Sequence, residues 1–489
     1  MWSPRELPFD LLPPILARLA DRRDWHACAL VSKTFNRVAT PLLYRKLDSR
    51  VLSKSTLSHP CTTLLARPEL AQYVRHVTET RAVHRALLPD NPNITREALT
   101  ALSLCTNIYS LTWADDTAYT TTVSPLLDLI AVLPSLPLRD LTIRTHSDLG
   151  EDVWRELTNL SGLKRVSIWC MEGPPRVLQG WSEHLGPTLT HLELGVSSFS
   201  LTPSSYLLMQ LPLLQDLRLK GAPAAAIPTI LSYLPNLHTL DTEYLQLSPN
   251  SAIRPPQTSH LPHPFPSLRR LTVRTTSADS MGPPRLFPWI HALVPNSCLR
   301  SLTLQVFTNS GHINIPTTFI LELARVHGKT MQEFLVGESL MTLNDIECVC
   351  HKMLGLESLA CAIACPDTES IAHVISSAAK LRSLKLQVHW LPSNDHNFHN
   401  PSYGRNGYRS YGSEGRFGHG YRISPKATIE DARSLMLRSE DSVLRTVGFG
   451  GIVYMGKWVL EYDDDGRSSR RFEVVEDVTQ GSRSPRWNT

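Results

Sequence analysis

Cys348, Cys350, His351, Cys361 and Cys365 are where metal-ligating residue types crowd together in this chain. Zinc asks for four N or S donors brought round one point, and the known modules do this with characteristic pair spacings. The spacings here, C-x-C and C-x-x-x-C, fit none of them. Cys361 falls on an apolar strand position and Cys350 on the inner stripe of a helix, ordinary places for a buried thiol. Glu461, Asp463, Asp465 and Gly466 imitate the start of a calcium loop, but the twelfth position is Phe472, where a bidentate carboxylate is required. The sequence contains no P-loop, no G-x-G-x-x-G after a strand, no G-x-S-x-G and no H-E-x-x-H. No catalytic residue, metal or cofactor is therefore expected. Between Pro392 and Pro425, the residues Tyr403, Arg405, Tyr408, Arg409, Tyr411, Arg416, Phe417, Tyr421 and Arg422 alternate base-stacking rings with cations. That is the composition of weak single-strand binders.

The elements around these residues follow from composition and period. The 489 residues are 42% apolar and 19% charged, an ordinary globular balance. The charge of +4 is too small over this length to argue for a nucleic-acid or membrane-surface protein. Nine cysteines and no apolar leader point to a reducing compartment, cytoplasm or nucleus. The longest apolar stretch, Val123 to Leu138, is broken by Asp128, Pro134 and Pro137 and falls short of a membrane span. Thirty-six prolines favour many short elements.

Those elements repeat. The pattern L-x-x-L-x-L places apolar residues at Leu138/Leu141/Ile143, Leu163/Val166/Ile168, Leu189/Leu192/Leu194 and Leu214/Leu217/Leu219. It continues at Leu237/Leu240, Leu268/Leu271/Val273, Leu299/Leu302/Leu304, Met331/Phe334/Val336, Leu356/Leu359/Cys361 and Leu381/Leu384/Leu386. Weaker copies stand at Val74/Val77, Ile108/Leu111/Trp113 and Leu444/Val447/Phe449. Steps of 23 to 32 residues with this pattern resemble the leucine-rich repeat. The last two apolar positions, two apart, share one face of a short strand, and helical segments such as Ser204 to Leu211 and Asn344 to Leu354 fill the gaps. Burying three Leu-class side chains yields about 5–9 kcal/mol, less than the cost of ordering some 25 residues, so repeats must stack. The expected fold is α/β: a curved solenoid with a parallel sheet on its concave face and helices outside.

The polar strand positions carry nine basic residues (Arg139, Lys164, Arg165, Arg218, Arg269, Arg270, Arg300, Arg382, Lys385) against six acidic ones (Asp140, Glu193, Asp216, Asp241, Glu333, Glu357). Arg269, Arg270, Arg274 and Arg300 are the densest run and the candidate grip for an acidic segment of a partner.

Residues 7 to 47 break the pattern. Leu12, Ile15, Leu16 and Leu19 have helical spacing, Asp24 is a candidate cap, and Cys28, Val31, Phe35 and Val38 form a second stripe. Pro13-Pro14 is tolerable only in a first helical turn, which sets the helix start near Leu12. The succession Leu7-Pro8, Leu11-Leu12, Ile15-Leu16, Leu19, Asp24, Cys28, Leu30-Val31-Ser32-Lys33 and Phe35 resembles the F-box family, although Pro13-Pro14 stands where that family usually has helix formers. The following block, Ala39-Thr40-Pro41-Leu42-Leu43-Tyr44, is similar to that of many fungal F-box proteins.

The resemblance implies a helical module (1–47) that docks on the Skp-type adaptor of a cullin–RING (SCF) ubiquitin ligase through Leu7, Pro8, Leu11, Leu12, Ile15, Leu16, Val31, Ser32 and Phe35. The solenoid (48–391) then holds a protein target for ubiquitin-dependent degradation. Residues 392–425 are expected to be a disordered insertion, 426–480 a last repeat with a strand–turn–strand cap, and 481–489 a tail. On this reading the chain is a non-catalytic substrate receptor, with neither membrane nor nucleic acid among its partners. The alternatives are a repeat scaffold outside ubiquitin transfer, or an RNA-associated factor using the 392–425 segment.

Overall fold

A computed structural model describes residues 9–19, 21–49, 59–115, 126–170, 180–196, 205–245, 264–277, 285–308, 313–365, 367–390, 427–439, 441–462 and 468–477. The chain divides into two compact units, Met1–Pro266 and Ser267–Thr489. Among the described residues no helix is long and apolar enough to cross a membrane.

The first unit opens with three helices, α1 (Leu12–Leu16), α2 (Arg22–Val31) and α3 (Lys33–Tyr44). Eight strands follow: β1 (Lys46–Asp48), β2 (His76–Thr80), β3 (Ser110–Asp115), β4 (Asp140–Thr145), β5 (Arg165–Cys170), β6 (His191–Val196), β7 (Asp216–Lys220) and β8 (Thr239–Glu243). Each pairs in parallel with the next in chain order. Val77, Leu111, Leu141, Val166, Leu192, Leu217 and Leu240 stack in register on the core side, each 2% exposed or less. β1 adds a strand that the repeat pattern did not mark, with Leu47 extending the row beside Val77.

Just before most of the parallel strands, one carbonyl accepts two N–H groups from the following repeat. Arg139 O receives Lys164 and Arg165, Lys164 O receives Thr190 and His191, and Thr190 O receives Gln215 and Asp216. These bonds are made by the backbone, so the residue at this position varies from Arg to Thr. Between the strands, backbones approach too closely for side chains in places: a Cβ on Gly186 would collide with the Gln210 carbonyl.

The second unit repeats the scheme with β9 (Arg270–Ser277), β10 (Ser301–Thr308), β11 (Glu333–Met341), β12 (Ser358–Cys365), β13 (Ser383–Trp390) and β14 (Thr446–Phe449), all parallel. β15 (Ile452–Tyr462) and β16 (Ser468–Glu476) then run antiparallel, at stretches expected from the sequence to be strands, and residues 463–467, where the turn is expected, lie outside the described residues. The helix expected at Asn344 to Leu354 spans Leu343–Lys352. Thr342 and Asp345 start it with reciprocal side-chain-to-backbone bonds. The segment around Ser204 to Leu211 forms a 3-10 helix, Ser205–Gln210. The 392–425 insertion lies outside the described residues.

A histidine is built into the core of this second unit. His327, 1% exposed, donates from Nε2 to the Val294 carbonyl at 3.1 Å. Burial lowers its pKa from 6.5 to about 4 despite that bond, and His291, nearby, is lowered for the same reason. Below pH 6.5 the unfolded chain therefore takes up protons that the folded chain refuses, so stability present above that pH is lost as pH falls toward 4. The melting temperature of the full chain should fall over this window, and His327→Gln should flatten the fall. An undiminished pH dependence in the variant contradicts this assignment.

Candidate functional site

The N-terminal helices bury a small core and leave a second apolar surface bare. Leu12 and Leu16, one helical turn apart, face inward and pack with Ala29, Val38 and Ala39, while Leu19, Cys28, Phe35, Leu42 and Leu43 close the edges. The proline pair occupies the first positions of α1 behind a 3-10 turn, Phe9–Leu11, so the helix starts at Leu12 as the prolines demand. The Trp25 indole donates to the Leu16 carbonyl at 2.8 Å and ties α2 to the end of α1. Asp21, not Asp24, caps α2 by accepting from Arg23 N at 2.8 Å. The stripe read from Cys28 to Val38 as one helix is divided at Ser32, whose extended backbone ends α2. Its hydroxyl accepts from Phe35 N at 3.2 Å and starts α3. Asn36 donates back to the Ala29 carbonyl at 3.1 Å, fixing the corner between the two helices.

On the far side of α1 from the core, Leu11 and Ile15 stand 49% and 48% exposed, and at the end of α2 Leu30 and Val31 are 74% and 68% exposed. Apolar side chains this bare, on a module with so little core of its own, are the signature of a surface meant to be covered. Phe9 beside them is held under the Arg37 guanidinium, 5.5 Å from its ring.

Residues 5–50 match the F-box-like family. The helical module is an F-box-like domain. Behind it stand leucine-rich repeats, one strand to each repeat in both units. Among solved structures the chain is similar to the yeast Rad7–Elc1 complex (11% identity, 78% of this chain and 88% of that one, TM-score 0.38). It is also similar to a leucine-rich-repeat protein of Leptospira interrogans (14% identity, 60% and 70%, TM-score 0.32) and to the leucine-rich repeat-containing protein LegL7 of Legionella pneumophila (12%, 70% and 90%, TM-score 0.31). No curated protein matches the sequence.

The F-box-like domain sorts the expected docking residues. Leu11, Ile15 and Val31 are on the surface, and Ser32 is exposed but engaged as a cap. Leu12 and Leu16 are core residues, because positions four apart on α1 cannot face both the bundle and solvent. Phe35 is half-buried against that core. Leu7 and Pro8 lie outside the described residues. Leu30 was not among the expected docking residues, yet it is the most exposed of the bare apolar side chains.

In the second unit, Arg269 and Arg300 occupy the carbonyl-ladder position on neighbouring strands and are exposed, with Arg270 exposed at the first position of β9. Arg274 does not belong to that surface. It is 8% exposed and hydrogen-bonded to Gln305 on β10. The open face of the first unit is mixed in charge, as the sequence suggested: Arg218 sits between Glu193 (3.7 Å) and Asp241 (3.5 Å). Trp169 lies across Gly195, where a Cβ would meet its ring, with Arg144 and Lys220 within 5.9 and 5.5 Å of the ring centroid. Cys350, Cys361 and Cys365 are buried repeat residues, and burial pushes all three thiols up, Cys350 to about 12 and Cys365 to about 11. Such thiols are poor nucleophiles.

One polar cluster went unnoticed in the sequence reading. Glu79 on β2 is 4% exposed and receives His59 Nε2 at 3.0 Å and His84 Nε2 at 3.1 Å on the same carboxylate oxygen. His59 caps the helix α4 (Pro60–Ala66), and His84 belongs to α5 (Arg81–Leu87). Burial would raise Glu79, but the two imidazoles hold it down to about 2; burial would lower His59, but the Glu79 carboxylate 3.0 Å from its Nε2 pulls it up. The signal was present in the sequence: Val74/Val77 lacks its third apolar residue, and Glu79 stands in that slot.

The division of the F-box-like domain into core and bare face is testable. Leu16→Ala should lower stability by about 2–5 kcal/mol in chemical denaturation, as expected for a truncated core side chain. Ile15→Ser should change it by less than about 0.5 kcal/mol. Equal losses would place both residues in the core.

Proposed function

We propose that this chain is the substrate-receptor subunit of a cullin–RING ubiquitin ligase, its F-box-like domain docking on a Skp-type adaptor and its repeats holding a protein target. The observation that carries the reading is the bare apolar face of Leu11, Ile15, Leu30 and Val31 on a domain that matches the F-box-like family. Burying what remains exposed of these four side chains supplies roughly 3–7 kcal/mol before the costs of association.

The chain itself performs no bond chemistry on this reading. It supplies proximity, holding a target beside a charged conjugating enzyme and turning a bimolecular transfer into a nearly intramolecular one. The mixed open face of the first unit and the exposed Arg269, Arg270 and Arg300 of the second suit a polar protein surface as cargo, with the arginines reaching for carboxylates. Target selection, the role of Leu7 and Pro8, and residence in cytoplasm or nucleus belong to this same proposal.

Co-expression with a Skp-type adaptor tests it. The wild-type chain should co-purify with adaptor, and the pair Ile15→Asp with Val31→Asp should weaken binding by more than about 30-fold, since central interface anchors are commonly worth 2 kcal/mol or more. The variants' circular dichroism should match wild type. Full adaptor recovery with the double variant would overturn the reading.

A further inference from the structure

The buried cluster of His59, Glu79 and His84 has the composition and geometry of a metal centre, and it lies well apart in sequence from the docking face. Glu79 occupies a register position held by Trp113, Ile143, Ile168, Leu194 and Leu219 on the five following strands. A carboxylate in such a row pays several kcal/mol in lost hydration unless its charge is met on the spot. Two imidazoles converge on it from separate helices, and a donor atom from each of the three residues lies within 4.8 Å of the other two. Their side chains are 1%, 5% and 8% exposed.

From this juxtaposition we infer that His59, Glu79 and His84 bind one divalent transition-metal ion, with zinc the best match to two imidazoles and a carboxylate. Zinc bonds of about 2.0–2.1 Å at tetrahedral angles set neighbouring donors roughly 3.3 Å apart. The separations from Glu79 to the two imidazoles, 3.0 and 3.1 Å, are a few tenths short of that, and all three donor atoms lie within 4.8 Å of one another, so the Glu79 oxygen must draw back and the imidazoles re-aim to admit an ion. A ligating imidazole needs a partner for its other nitrogen. For His84 it is in place: with Nε2 on the ion, Nδ1–H donates to Thr95 Oγ1, now 3.3 Å away. For His59 the proton moves from Nε2 to Nδ1. The Cys61 backbone N–H, which now donates to Nδ1 at 3.2 Å, must then turn away from it.

The edge of the Trp113 indole system closes the pocket against His84, with ring centroids 6.0 Å apart, and the Arg81–Asp115 pair at 3.0 Å neutralises itself nearby. No substrate reaches groups this buried, so the ion is structural. It ties α4, β2 and α5 together where the first repeats begin behind the F-box-like domain. The fourth position is completed by the second carboxylate oxygen or a water.

The test uses the untagged full-length chain, stripped with chelator and returned to zinc sulfate. The expected result is one tightly held zinc per chain by mass spectrometry of the metal, a melting temperature that rises with zinc, and visible absorption bands when cobalt(II) replaces it. Glu79→Gln keeps a hydrogen-bond acceptor for both imidazoles but is a poor ligand, and should weaken zinc binding by more than about tenfold and erase the zinc-dependent rise in melting temperature. His84→Gln and the wild-type cobalt spectrum decide the matter if Glu79→Gln does not fold. A folded wild-type chain that takes up no stoichiometric zinc, or a Glu79→Gln chain that holds it as tightly as wild type, overturns the proposal and leaves the cluster as a hydrogen-bonded triad. Neither result bears on adaptor docking, which is read by co-purification.

Discussion

The structure depends on hydrogen bonds that no repeat can make alone. Each strand is three to nine residues long in the parallel stacks, and its backbone groups are satisfied by neighbouring strands. The paired N–H groups on one carbonyl ahead of most strands extend this dependence into the loops, from Arg45 to Gln215 in the first unit and from Arg269 to Arg382 in the second. An isolated repeat would expose these donors and its Leu-class row alike. Stability therefore accrues between neighbours, and end repeats need a cover. At the start, α3 packs on the 3-10 helix Pro68–Tyr73 and on β1; at the finish, β15 and β16 turn antiparallel and end the parallel stack.

This dependence explains how one chain can keep a fixed fold and a variable surface. The inward positions of each strand are dictated by the row they join, whereas the outward positions answer only to solvent and to whatever binds there. Arg218 between Glu193 and Asp241, Trp169 over Gly195, and the exposed Arg269 and Arg300 all sit at outward or ladder positions. None is needed to hold the stack. The F-box-like domain follows the same economy on a smaller scale: Leu12 and Leu16 specify the bundle, whereas Leu11 in the preceding 3-10 turn and Ile15 on α1 stand about half exposed.

Much of this was legible in the sequence because period-two burial leaves a plain mark. Nine of the ten clear repeats announce themselves through paired apolar residues two apart, and Pro13-Pro14 sets the start of α1 through backbone chemistry alone. What escaped notice has physical causes. β1 is three residues long with one core side chain, Leu47, too short to show a period. Exposure on α1 and α2 was misjudged because apolar type does not tell a core face from a docking face, so Leu12 and Leu16 read like Leu11 and Ile15. Arg274 read as surface because charged, yet its guanidinium is drawn against Gln305 on the neighbouring strand. The His59–Glu79–His84 cluster draws on three elements, and only the missing apolar residue at 79 betrayed it.

The central claim is that the bare face of the F-box-like domain, and not the open face of the repeats, receives the adaptor. Hydrogen–deuterium exchange on the full chain with and without a Skp-type adaptor addresses it directly. The account predicts new protection concentrated at residues 9–18 and 28–33, with the strands from β2 onward unchanged. Protection along the strands, or none anywhere despite saturating adaptor, would contradict it.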